Sequence, residues 1–125
     1  MAGSSGSFHE DVAQLSAETM DRHRAIVSIM EELEAVDWYD QRVEAATDEE
    51  LSRILAHNRD EEKEHAAMLL EWLRRRDAGL DEQLRAYLFA DKPVLDVETA
   101  NAAAAPATAS DGSLGIGTLK TGADS

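Results

Sequence analysis

The chain contains no cysteine among its 125 residues. Disulfides, thiolate metal sites and cysteine nucleophiles are therefore excluded, and the absence fits a reducing cytosol. Basic residues are scarce: 12 Lys and Arg against 26 Asp and Glu give a formal net charge of −14. Phosphate backbones need cationic partners, so this balance argues against nucleic acid. It favours cations, although an acidic surface also serves solubility. No apolar run approaches the roughly 18 residues of a membrane span, and the start Met1–Ser7 lacks a secretory apolar segment. Phosphate-binding glycine loops, dinucleotide fingerprints and Ser/His/Asp arrangements are missing as well.

What is present is helical periodicity. Ser7-x-x-Glu10 has the pattern of a capping box, and apolar residues at Val12, Leu15, Ile26, Ile29, Leu33, Val36 and Tyr39 predict a helix to about Val43. After a short break at Ala45–Asp48, Thr47-x-x-Glu50 forms a second capping box and opens a helix ending near Ala78-Gly79. Arg74, Arg75 and Arg76 fall in its last turn, where cations meet the negative end of the helix dipole. The short connection makes these two helices antiparallel neighbours. A third helix fits Asp81–Phe89, stopped ahead of Pro93. From Asp96 to Gly112 the Ala-rich sequence reads as a flexible tether, followed by an isolated apolar patch, Ser113–Lys120. A hairpin with one short extra helix cannot cover its own apolar stripes, so it is expected to pack against copies of itself.

Two helix segments carry metal-ligand residue types. Glu32 has Ile29 three residues before it, Val36 four after, and Ala25 and Tyr39 seven away; Glu62 has Leu55 and Leu69 at seven residues, and His65 has Trp72. These spacings place the three residues on apolar stripes. An ionised carboxylate there is costly unless paired or coordinated. Dinuclear carboxylate sites in helical bundles take a Glu from each of two helices and a Glu-x-x-His from each of the other two. This chain holds one copy of each, which is half of such a site. Oxygen and imidazole donors suit iron or manganese. A Glu-x-x-His pair also arises by chance in a Glu-rich helix, and His57-x-x-x-Glu61 is a competing pair at the edge of the stripe. His9, His23 and His57 read as surface or interface residues, and Glu61, Glu64 and Glu71 as a solvated face with Lys63 and Arg74. Glu31 and Glu34, close to Trp38, read either as a solvated helix edge or as an acidic funnel for cations.

The segment His23–Ser28 through Glu31–Tyr39, the run His57–His65 with Glu71–Arg75, and Tyr87–Phe89 closely resemble the encapsulated ferritins over about residues 8 to 93. The patch Ser113–Lys120 resembles that family's encapsulin-targeting peptide. The resemblance implies an all-α fold in which an antiparallel two-helix hairpin plus a short third helix dimerises into a ferritin-like four-helix bundle. It implies a ring-shaped decamer of five dimers, with a di-iron ferroxidase centre at a dimer interface. The ligands would be Glu32, Glu62 and His65 from each of two subunits, with Tyr39 beside the centre. Glu31 and Glu34, with Trp38, would form a route for incoming metal, which favours the funnel over the solvated edge.

The expected organisation is a disordered segment 1–7, a ferritin-like domain 8–93, a flexible linker 94–112, a shell-targeting peptide 113–120 and a disordered end 121–125. The expected function is oxidation of Fe(II) by dioxygen as cytoplasmic cargo of an encapsulin nanocompartment, for iron storage and detoxification. In the peptide, Leu114 and Ile116 share a side of an extended segment, Gly115 and Gly117 permit close backbone approach, and Leu119 adds an apolar anchor. The alternative is a non-catalytic acidic helical adaptor that uses the same faces for oligomerisation.

Overall fold

The computed structural model describes residues 7–104 and is all-helical over them. The patch Ser113–Lys120, the expected disordered end 121–125 and all but Ser7 of the expected disordered start 1–7 lie outside the described residues. Four α-helices occur among the described residues: α1 (Ala17–Ala45), α2 (Glu49–Arg74), α3 (Ala78–Tyr87) and α4 (Val94–Ala104). The chain divides into two compact units, Met1–Arg76 and Asp77–Ser125.

Helix α1 starts later than the Ser7-x-x-Glu10 pattern predicts. Residues Val12–Gln14 make one 3-10 turn capped by Asp11, and Leu15 is extended. The helix begins only where the Ser16 hydroxyl accepts a hydrogen bond from the Thr19 N–H, satisfying one of the unpaired donors of the first turn. Phe8 stacks on His23 at 4.1 Å between ring centroids, which fastens the preceding segment to α1. The second start also shifts, by one residue: Asp48, rather than Thr47, is the cap, its carboxylate accepting from the Leu51 N–H at 2.8 Å. At the far end α2 stops at Arg74. Asp77 caps a new helix by accepting from the Leu80 N–H at 3.0 Å, so Gly79 lies inside α3 instead of terminating α2.

Helices α1 and α2 run antiparallel, as three cross-links show. The Ser52 hydroxyl donates to the Val43 carbonyl at 3.1 Å, Arg59 pairs with Asp40 at 3.0 Å, and His65 approaches Glu32 at 3.5 Å. Partners rise in number along one helix as they fall along the other. Small Ala25 and Ala66 are buried in this hairpin together with Leu73, but no large side chain among the described residues is fully buried. Ile26, Met30, Leu33, Leu51, Ile54 and Met68 all remain exposed. Burying an aliphatic side chain is worth about 1.5–3 kcal/mol, so the single hairpin leaves most of its apolar stripe unused.

In the second unit, the segment from Val94 to Ala104 is helical where a linker is expected. Alanine is the best helix former, and the Pro93 carbonyl accepts from Asp96 and Val97 to start the helix. Pro93 therefore both follows one helix and opens another. Between them, Leu88 (φ −71°, ψ 138°), Phe89 (φ 63°) and the Ala90 N–H donating to the Tyr87 carbonyl at 3.4 Å form a type II turn. Glycine is the usual residue at the Phe89 position, and a side chain there costs about 1–2 kcal/mol.

The C-terminal turn of α2 holds a compact ion cluster. Glu71 accepts from Arg74 at 2.8 Å through both carboxylate oxygens and from Arg75 at 2.7 Å. These two guanidiniums, Arg74 first, hold the Glu71 carboxyl down to about 2. A carboxylate depressed in the folded state contributes stability above its unfolded pKa and loses it as pH falls toward the folded one. An NMR pH titration should therefore find Glu71 still ionised when ordinary glutamates are protonated, with its ion-pair contribution fading from about pH 4.5 down to about pH 2; a Glu71 midpoint near 4.5 is the contrary result. For the second helix start, Asp48→Ala should cost about 1 kcal/mol in denaturant unfolding at fixed protein concentration. Thr47→Ala should stay within about 0.5 kcal/mol, and the reverse ranking would place the cap at Thr47.

Candidate metal centre

The antiparallel register of α1 and α2 brings Glu32 opposite Glu62 and His65. One ligand atom from each lies within 4.8 Å of the others. The imidazole Nδ1 is 3.2 Å from Glu62 Oε1 and 3.5 Å from Glu32 Oε1, so a single ring nitrogen faces both carboxyls. The i,i+3 spacing of Glu62 and His65 places them on one face of α2, and the close approach permitted by Ala25 and Ala66 sets Glu32 against that face. Side-chain exposure is 26% for Glu32 and 24% for Glu62.

Two carboxyls this close resist carrying two negative charges. The Glu32 carboxyl is held above its ordinary value, first by its hydrogen bond to Glu62, then by partial burial and by the Glu62 charge. Glu62 is lowered, first by the same hydrogen bond. His65 is raised, mainly by its hydrogen bond to Glu62. The charge pattern is that of a cation trap: two carboxyls and one imidazole directed at a common point, with no Lys or Arg among the described residues paired to any of them. Hard oxygen plus imidazole donors fit iron or manganese.

Beside these residues a groove of about 530 Å³ runs along the hairpin, lined among others by Arg24, Ala25, Ser28, Leu69 and Trp72. Arg24 pairs with Asp21 at 2.6 Å at its edge. The sequence reading does not single out Asp21, Arg24 or Ser28, yet they lie eleven, eight and four residues before Glu32, and that helical spacing is the signal that finds them.

The competing pair lies further out: His57 and Glu61 are 71% and 49% exposed and 3.6 Å apart. Glu61 also stands 3.9 Å from His65 Nε2, beyond hydrogen-bond length. Lys63 pairs with Asp60, and Arg74 with Glu71, so the expected solvated face of Glu61, Glu64 and Glu71 is divided among different partners. Tyr39 is half-buried on α1 under the Arg42 guanidinium at 5.2 Å, about two turns from Glu32, and is not brought into the cluster. Glu31, Glu34 and Trp38 are exposed, and no basic side chain pairs with either carboxylate among the described residues. The segment Leu114–Leu119 lies outside the described residues.

Comparison with known proteins places this arrangement in context. A family model described as EncFtn-like matches residues 7–91. The chain is 64% identical to an "Encapsulated ferritin-like protein" of Rhodospirillum rubrum, covering 96% of this chain and 92% of that one. It is 52% identical to a "Ferritin-like protein" of Thermotoga maritima, over 87% of this chain and 94% of the relative. An "Encapsulin nanocompartment cargo protein EncC" of Myxococcus xanthus is 34% identical over 56% of this chain and 54% of its own length. Among solved structures, protein ne0167 of Nitrosomonas europaea is similar with a TM-score of 0.68 at 62% identity, covering 70% of this chain and 97% of the other.

Proposed function

This chain belongs to the EncFtn-like family of encapsulated ferritin-like proteins, and from that premise we propose that two copies of it form a di-iron ferroxidase centre. The observation that carries the reading is the convergence of Glu32, Glu62 and His65 on a face bordered by exposed apolar residues. Each copy supplies half of the ligands that a dinuclear carboxylate site requires. Two half-sites give four carboxylates and two imidazoles, enough to hold two divalent irons as substrate.

In this reading, Glu32 and Glu62 bind and space the two Fe(II) ions, and their hard oxygens favour the Fe(III) product. His65 fixes each ion from the α2 side after giving up its proton. Each iron loses one electron to dioxygen, and a pair delivers two electrons within one site. Tyr39 would border the centre once the second copy is in place. Glu31 and Glu34, unpaired by any cation among the described residues, would draw Fe(II) inward past Trp38. Pairing would also cover Ile26, Met30, Leu33 and Ile54, which a lone hairpin exposes. The expected assembly is a decamer of five such pairs.

The names of two relatives refer to encapsulation or to encapsulin cargo. We extend that role to this chain: it would be carried in an encapsulin nanocompartment through residues 113–120, the shell retaining the ferric product. No helix among the described residues is long and apolar enough to cross a membrane.

Aerobic Fe(II) oxidation by Glu32→Ala, Glu62→Ala and His65→Ala should fall on the order of tenfold or more, with circular dichroism unchanged. Wild-type rates in all three would favour the acidic adaptor instead. Deleting Leu114–Leu119 should abolish co-purification with a co-expressed encapsulin shell while leaving oxidation by the free protein intact. Shell loading that survives the deletion would remove the tail from the scheme.

A further inference from the structure

Helix α2 carries one methionine, and it stands beside the candidate metal ligands. Met68 follows His65 by three residues, so the two share a face of the helix. The groove of about 530 Å³ along the hairpin is lined by Glu32 and His65 and also by Met68 and Trp72. Met68 and Trp72 line a second groove as well, of about 520 Å³, together with Ala67 and Glu71. These two side chains therefore form the ridge between the grooves, and the thioether borders the way out of the centre on that side.

The ligand set makes no use of Met68. A thioether is a soft donor, ill matched to the hard ions that carboxylates hold. Its characteristic chemistry is oxidation to the sulfoxide. The other described methionines do not share this position. Met30 lies two residues before Glu32, about 200° around α1, and lines neither groove. Met20 is half-buried near the start of α1 and lines neither groove either.

Resting on the ferroxidase reading, we propose that Met68 is a modification site: hydrogen peroxide formed at the centre oxidises its thioether before reaching bulk water. Two Fe(II) ions give one electron each to dioxygen, which takes up two protons and becomes hydrogen peroxide. The Met68 sulfur then gives an electron pair to one peroxide oxygen. The S–O bond forms as the O–O bond breaks, and the second oxygen leaves as water with both protons. Sulfur loses two electrons and peroxide gains them, so no further reactant enters. Each copy traps one equivalent, and the sulfoxide is of the kind that dedicated reductases reverse. The trap shields its neighbours: with Met68 spent, the same peroxide meets the Trp72 indole and the His65 imidazole, which line the same groove.

Peptide mass spectrometry of the full-length protein after aerobic Fe(II) turnover, with catalase in solution, tests this. The quantity read is the ratio of sulfoxide at Met68 to sulfoxide at Met30. Zinc-loaded protein treated with added hydrogen peroxide calibrates how far bulk peroxide reaches each, since Met68 is 58% and Met30 41% exposed in one chain. Turnover should raise the ratio at least about fivefold above that calibration, because an oxidant formed nearby meets its nearest nucleophile at high effective concentration. Catalase should not lower it. Met68→Leu, a volume-conserving change, should keep the initial rate of iron oxidation while oxygen adducts on Trp72 and His65 increase and inactivation comes after fewer turnovers. Iron oxidised faster than in buffer with a ratio no higher than the calibration, a ratio that catalase returns to it, or unchanged Trp72 and His65 adducts in Met68→Leu would overturn the trap and leave the ferroxidase reading standing. Iron oxidised no faster than in buffer would overturn both.

Discussion

Glu32 and Glu62 face each other across the α1–α2 seam, and neither helix can relieve their repulsion alone. The seam is narrow because alanines 25 and 66 are buried in the hairpin, and it is pinned on one side by Arg59–Asp40 and by the Ser52 hydroxyl on Val43. Within that frame one oxygen of each carboxyl lies within 4.8 Å of the other, and His65 turns one nitrogen to both. Protons are a partial answer to the crowding of negative charge; a divalent cation is a fuller one. The proposed chemistry depends on this conflict, since relaxed and separated carboxylates would have no common point to offer.

A second constraint is the small core. Among the described residues only Ala25, Ala66, Leu73 and Val97 are buried, while large aliphatic residues along both helices are exposed. A chain of this size buries a modest share of its surface on folding, so the association proposed for the ligand set would serve stability as well. Metal would strengthen the proposed pair through the half-sites, which makes its assembly dependent on iron.

The face shared by Glu62 and His65 was legible in the sequence because helical spacing converts directly into a face: the two residues stand at i,i+3, with Leu55, Leu69 and Trp72 at seven-residue intervals. The short connection predicted antiparallel helices, but the register that sets Glu32 opposite Glu62 and His65 came only from the structure. Helix starts were less legible, because neighbouring residues compete for the same role. Thr47 and Asp48 can both cap, and Asp48 does; Ser7 offers a capping pattern, but Ser16 supplies the hydrogen bond. The helix Val94–Ala104 was hidden by its own composition, since alanine and proline are common to tethers and to helix starts. The left-handed Phe89 was unreadable, because a type II turn without glycine leaves no signature. Tyr39 remains outside the cluster within one chain, as a residue two turns from Glu32 must unless a second copy intervenes.

Native mass spectrometry of the protein titrated anaerobically with Fe(II) tests the shared site most directly, because it reads iron count and copy number in the same species. Iron should appear only in species with an even number of chains and saturate at two irons per pair, one per chain. Iron held by single chains at the same stoichiometry, or even-numbered assemblies that take up none, would contradict a centre built from two halves.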